Sequence, residues 1–162
     1  MDANAAGLIR LSGRAARERL ANVIYVRGSV EDPPLELAGV ADRLTVVLPW
    51  GSLLAAVARP LVPALAGIRT LCRPEASLSV VLSVADRDTH EAHRLRLPPL
   101  DGGHLEDLAL GYAAAGFAVT SVRRLDRDQL VAWPSTWARR LAHGRPRPVF
   151  QIDTRAVSSS GR

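Results

Sequence analysis

Five short runs rich in Val, Ile and Leu, separated by stretches with helical spacing, constrain this chain more than any other feature. They are residues 23–26 (Val-Ile-Tyr-Val), 44–48 (Leu-Thr-Val-Val-Leu), 77–84, 119–125 and 149–156. The first, ending at Gly28, reads as a buried strand, and the third, which alternates little, as a strand buried on both faces. The second closes sharply on Pro49-Trp50-Gly51. Residues 4–20 place Leu8, Leu11, Ala15, Ala16 and Leu20 on one side of a helix and Arg10, Arg14 and Arg17 on the other. Residues 53–57 and 64–71 read as helices separated by Pro60 and Pro63, and residues 104–115 as a helix stopped by Gly116. The acidic, proline-broken stretch 31–39 reads as a loop with one helical turn. Residues 86–103, with Pro98-Pro99 and Gly102-Gly103, read as a largely mobile linker, its Asp101-Gly102-Gly103 a turn and not a phosphate loop. An arginine-rich helical segment fills 126–143. Strands alternating with helices in this way predict an α/β fold, a mostly parallel sheet covered on both faces.

With 162 residues, 48% of them apolar, the chain can bury one core, so residues 1–156 are expected to form one domain and the serine-rich residues 157–162 a disordered tail. No apolar run approaches the roughly 20 residues of a membrane span, and no compact hydrophobic leader is visible, so a cytoplasmic chain without a membrane partner is expected. Cys72 stands alone, which excludes an internal disulfide and favours a small buried apolar role. His90 and His93 share a helical face but lack a third ligand, and no metal is expected. No Ser-His-Asp or Cys-His arrangement is suggested by spacing.

All 21 basic residues are arginine, which a GC-rich genome would produce, so their number says little. Their distribution says more. Five arginines face two acids in residues 1–30, seven face eleven in 31–120, and nine face three in 121–162. Two basic ends around an acidic middle fit a phosphate-contacting surface built from both ends.

The segments Leu48-Pro49-Trp50-Gly51-Ser52-Leu53-Leu54 and, about 85 residues later, Ser135-Thr136-Trp137-Ala138-Arg139-Arg140-Leu141 resemble the two signature segments of the aminoglycoside-resistance 16S rRNA methyltransferases that modify adenine 1408 at N1. The likeness extends over nearly the whole chain, through Ser29-Val30-Glu31, Leu35-Glu36-Leu37-Ala38 and Gly144-Arg145-Pro146-Arg147. It implies a class I methyltransferase, Rossmann-like, with a mostly parallel sheet and an antiparallel last strand inserted at the edge. It also implies that this class's first two strands and glycine-rich loop have no counterpart in these residues. Met1-Asp2 then falls where the second strand should finish, and an in-frame upstream segment with a hydrophobic strand and a glycine-rich loop is expected.

The resemblance further implies S-adenosylmethionine as cofactor and the 16S rRNA of the 30S subunit as partner, with the chain acting as a monomer. Trp50 and Trp137 match the tryptophans that sandwich the flipped target base, a role suited to an unpaired purine that has lost its stacking neighbours. Asp2 matches the acid that holds the ribose hydroxyls, Val30 and Glu31 the segment lining the adenine, and Val47, Leu48 and Ser52 the floor beneath the methionine moiety. Ser135 matches a residue that closes the site. Arg139, Arg140, Arg145 and Arg147 match rRNA-contacting positions, and Arg10, Arg14, Arg17, Arg94 and Arg96 lie where the family is also basic. Other readings of single residues stay open: Glu31 as a solvated acid, Asp2 as a frayed end, the arginines as a solvated face, and Trp133 as core packing or pocket lip. Two other functions also stay open, an RNA-binding fragment without catalysis and a class I methyltransferase with another substrate.

Leu48-Pro49-Trp50 has no Asn or Asp to accept a hydrogen bond from an exocyclic amine. Adenine N1 carries a lone pair and no proton, so attack from N1 on a sulfonium methyl requires no general base. The absence favours N1 over N6.

Overall fold

The computed structural model describes residues 1–2, 4–83, 102–144 and 147–158. Helix α1 (Ala5–Arg17) opens on Asn4, whose side chain accepts from the amides of Ala6 and Gly7. A 3-10 turn (Leu35–Leu37) precedes strand β1 (Ala41–Val47). Helices α2 (Gly51–Ala58) and α3 (Val62–Leu71) lead into β2 (Cys72–Leu82), and α4 (Gly102–Ala114) leads into β3 (Phe117–Arg124). Two short helices, α5 (Arg127–Val131) and α6 (Thr136–His143), precede β4 (Phe150–Ala156).

The sheet runs β1-β2-β4-β3. β1 and β2 pair in parallel, with Leu44 beside Leu78 and Val46 beside Val80, whereas β4 runs antiparallel to both β2 and β3. The last strand is therefore antiparallel, as expected. It sits one position inside the edge, which β3 forms. On one face Leu78, Val80, Leu82, Ile152 and Phe117 pack against α2, α3 and α4 through residues such as Val57, Leu65 and Tyr112, all of them at most 1% exposed. Tyr112 donates its hydroxyl to the Val57 carbonyl at 3.2 Å, and burial raises that phenol's pKa.

The expectation of a sheet covered on both faces needs correction. On the second face a smaller cluster, Val81, Leu125, Leu130, Ala138, Ala142 and Val149, covers only the carboxyl end of the strands. Further back that face carries Thr45, Ser79, Asp153 and Ser121 in register, each exposed or half-exposed. Ser77 and Ser79 of β2 likewise keep partial exposure, so only its end at Val80, Val81 and Leu82 is buried on both faces. Burial works against the Asp153 charge, but hydrogen bonds from Ser79, Gln151 and Ser121, with the nearby Arg123, hold its carboxyl below the usual carboxylate range. A lowered folded pKa contributes stability above the unfolded value near 4 and loses it as pH falls through the folded value. Asp153→Ala is therefore expected to cost about 1 kcal/mol at neutral pH and to flatten the acid limb of a stability curve measured by urea unfolding.

The run at 23–26 is not a strand. Val23 and Ile24 are 39% and 76% exposed, and among the described residues the pairing nearby is an isolated parallel bridge between Asp2 and Arg27. Strand propensity is realised only against a ladder neighbour, and no described strand lies beside this run. Helix α1 forms where expected, yet of its anticipated apolar side only Ala15 is buried, and Leu11 and Leu20 stay 49% and 45% exposed. Its Arg14 pairs with Glu18 one turn on, at 2.7 Å.

Gly102 and Gly103, expected in a linker and a turn, begin α4; the rest of that stretch, with His90, His93, Arg94 and Arg96, lies outside the described residues. At the carboxyl end, Val157 and Ser158 are anchored to Gly116 and Glu75, so the expected tail does not begin at 157; residues 159–162 lie outside the description. Among the described residues no single helix is long and apolar enough to cross a membrane, and the apolar pair α2 and α3 is bent by 95°.

Candidate active site

The segment after β1 turns on an unusual backbone. Leu48 adopts a positive φ of 49° and Gly51 one of 62°, while the Leu48 amide donates to the Val81 carbonyl at 2.7 Å. Leu48 is thus held to β2 in a left-handed conformation that a branched side chain seldom adopts, a strain that tends to mark functional sites. Trp50 then stands at the N-cap of α2 in extended backbone, 61% exposed.

Trp137 reaches the same region from α6. Ser135 caps that helix, its hydroxyl accepting from the Ala138 amide at 3.3 Å, and Ala138 and Ala142 bury the inner face. Trp137 on the opposite face is 59% exposed. The Arg140 guanidinium lies 5.9 Å from its ring centroid, within cation–π range. Two tryptophans this exposed, from elements far apart in sequence, line one cleft of about 480 Å3 with Leu48, Pro49, Ser83 and Arg147.

At the polar end of that cleft the sequence pointed to Arg147 but not to its partner Ser83. Ser83 is 7% exposed; its hydroxyl accepts from Arg147 Nε at 2.7 Å and donates to the Pro148 carbonyl at 2.6 Å. A serine at the end of an apolar strand carries no motif, so only its neighbours in space reveal it.

A second groove of about 590 Å3 adjoins the first, sharing Leu48, Pro49, Trp50 and Trp137. Asp2, Val30, Glu31, Val47 and Ser52 line it, with Ile68 and Leu71 of α3 behind. Asp2 accepts the Asn4 amide on Oδ1 at 2.8 Å, and the backbone of Asp2 pairs with Val26 and Gly28. Ser29 donates its hydroxyl to Glu31 and accepts the Glu31 amide, turning the chain at that point. Two hydrogen-bond-accepting carboxylates, Asp2 and Glu31, beside apolar walls from Val30, Val47 and Ile68 give a lining that fits a nucleoside.

Of the residues expected at the site, Asp2, Val30, Glu31, Val47, Leu48, Trp50, Ser52 and Trp137 come together, and Arg147 joins at the cleft's polar end. Ser135 lines neither cavity and acts as a helix cap two residues before Trp137. Arg139 and Arg140 lie exposed on α6, and Arg145 lies outside the described residues. Trp133 is half-buried and packs into the cluster around Val81 and Leu130, with Leu48 and Leu141, which resolves its two readings in favour of packing. Cys72 is buried, as expected, and burial raises its thiol pKa. Among the described residues no group of three His, Cys, Asp or Glu side chains is placed to hold a metal.

Comparison with known proteins agrees with this geometry. A sequence model of the family described as NpmA, 16S rRNA (adenine(1408)-N(1))-methyltransferase, matches residues 1–156. The 16S rRNA (adenine(1408)-N(1))-methyltransferase of Escherichia coli is 32% identical over 136 residues, a match covering 82% of this chain and 62% of the relative. The chain thus spans less than two-thirds of that relative's length. The crystal structure of the aminoglycoside resistance methyltransferase NpmB1 superposes with a TM-score of 0.80 at 38% identity, covering 96% of this chain and 73% of NpmB1. A mutant of the corresponding Catenulisporales acidiphilia enzyme, solved with its cosubstrate SAM, gives 0.83 at 29% identity, covering 99% and 75%. Sheet order, paired tryptophans and the match over residues 1–156 lead to one assignment: the chain belongs to the NpmA family of 16S rRNA (adenine(1408)-N(1))-methyltransferases.

Proposed function

We propose that this chain is an S-adenosylmethionine-dependent methyltransferase acting on N1 of adenine 1408 in the 16S rRNA of the 30S subunit, a modification that confers aminoglycoside resistance. The observation that carries the reading is the cleft between Trp50 and Trp137, two exposed aromatic faces beside a groove with two carboxylates. A flipped purine loses its stacking neighbours, and each aromatic face can restore about 1–3 kcal/mol. When bound, the cofactor supplies an electrophilic sulfonium methyl. Val30, Glu31 and Ile68 would line its adenine, Asp2 would accept from its ribose, and Val47, Leu48 and Ser52 would form the floor beneath its methionine end.

The chain's contribution to chemistry is placement and shielding. Leu48 and Pro49 present no side-chain hydrogen-bond acceptor to an exocyclic amine, which favours N1, and N1 has no proton for a side chain to remove. The tryptophan faces also stabilise the positive charge that the base acquires. Arg139, Arg140, Arg145 and Arg147 hold RNA phosphates near the flipped base, Arg147 fixed by Ser83. Replacing Arg140 and Arg147 with Gln is expected to weaken 30S binding and lower the slope of log K against log salt by about 1.4 to 1.8, each lost phosphate contact contributing roughly 0.7–0.9. An unchanged slope in a filter-binding titration removes both from the interface.

One observation favours a second reading, an RNA-binding chain that does not transfer methyl. Among the described strands β1 pairs only with β2, and residues 44–47 of β1 line the wide groove. Calorimetry with S-adenosylmethionine separates the two readings: binding supports the enzyme, and no heat at millimolar cofactor supports the alternative.

A further inference from the structure

Helix α3 keeps a glycine at a buried interior position, where glycine is the poorest helix former after proline. The reason is spatial. A Cβ on Gly67 would overlap the carbonyl oxygen of Val30, lie 2.9 Å from its carbonyl carbon and 3.5 Å from that of Glu31. The obstruction is backbone and not the end of a flexible side chain, so only a shift of the whole 30–31 step could relieve it. The next residue, Ile68, lines the wide groove together with Val30, Glu31 and Leu71. The seat of this loop on the helix therefore fixes one wall of the groove.

We propose that Gly67 is a positioning residue for the adenine end of the cofactor: by allowing the Val30 backbone to rest directly on α3, it fixes the slot between Val30 and Ile68. This rests on the cofactor assignment above. The helix also anchors the other end of the same loop, since the Gly39 amide donates to the Thr70 carbonyl at 2.8 Å. Displacement by a methyl group must therefore be absorbed within 28–38, where Glu31 and Val30 lie.

A second glycine supplies an internal control. A Cβ on Gly111 in α4 would overlap Pro60 Cβ and lie 2.7 Å from its Cγ, an obstruction less severe than that at Gly67 and away from both cavities. The test compares Gly67→Ala and Gly111→Ala for thermal stability, 30S affinity, and calorimetric affinity for S-adenosylhomocysteine and 5′-methylthioadenosine. The second ligand has the adenine but no amino-acid end. Gly67→Ala is expected to weaken both ligands by the same factor, about 10-fold or more for an overpacked contact, and to change 30S affinity less than twofold. Gly111→Ala is expected to destabilise the fold and leave both ligand affinities unchanged.

Wild-type affinity in Gly67→Ala, or an equal loss in Gly111→Ala, overturns the inference while the cofactor reading stands. A wild-type chain that binds neither ligand overturns the cofactor reading, and this inference with it. Should Gly67→Ala fail to fold, Val30→Gly and Val30→Gly/Gly67→Ala replace it, because glycine gives the loop freedom to yield. The added methyl must then cost affinity beyond Val30→Gly alone, and equal affinities overturn the proposal.

Discussion

Replacing Trp137 with Ala is expected to slow methylation of adenine 1408 by between about 5-fold and 150-fold, the loss of one stacking face worth roughly 1–3 kcal/mol. The side chain is 59% exposed, so its truncation should change stability by no more than about 0.5 kcal/mol. A rate loss without a stability loss distinguishes a base-binding face from a packing residue. Trp137→Phe keeps an aromatic face and should retain most of the activity. Trp50→Ala should behave similarly, and because both faces would hold one ring, the double variant's loss should not be the product of the two single losses. Single-turnover methylation of purified 30S subunits reads all four. Intact modification by Trp137→Ala removes the sandwich from the account.

The second large effect is one of stability. Tyr112→Ala is expected to cost about 3–5 kcal/mol, since the ring is fully buried between α4 and α2. Against the 5–15 kcal/mol typical of a domain, that loss brings the chain close to unfolding at 37 °C. Tyr112→Phe removes only the hydrogen bond to Val57 and should cost about 1 kcal/mol. The distinction matters for the site, because α2 begins at Gly51 and its seating sets where Trp50 points. Chemical denaturation of the two variants measures both values.

How far the sequence revealed this arrangement follows from what its signals encode. The apolar runs at 44–48, 119–125 and 149–156 became strands because each finds a ladder neighbour. The run at 23–26 has equal propensity but no described strand beside it, and periodicity cannot report which partner a run will find. Similarly, the serines of β2 and Asp153 of β4 were read as part of covered strands, whereas their register places them on a face that the helices only partly cover.

The site divides in the same way. Trp50 and Trp137 were legible because each sits in a local motif, and the fold brings both to one cleft. Ser83 and Gly67 have no local signature; a strand-end serine and a helical glycine acquire meaning only from Arg147 and Val30 beside them. Trp133, which the sequence could not assign, packs against the buried cluster of Val81, Leu125 and Leu130.

The most direct test incubates the purified chain with methyl-labelled S-adenosylmethionine and 30S subunits, then maps the product by reverse transcription and nucleoside analysis. A cofactor-dependent stop at adenine 1408 is expected, with the label recovered as N1-methyladenosine. Unlabelled 16S rRNA with read-through at that position, or label recovered at N6, would contradict it.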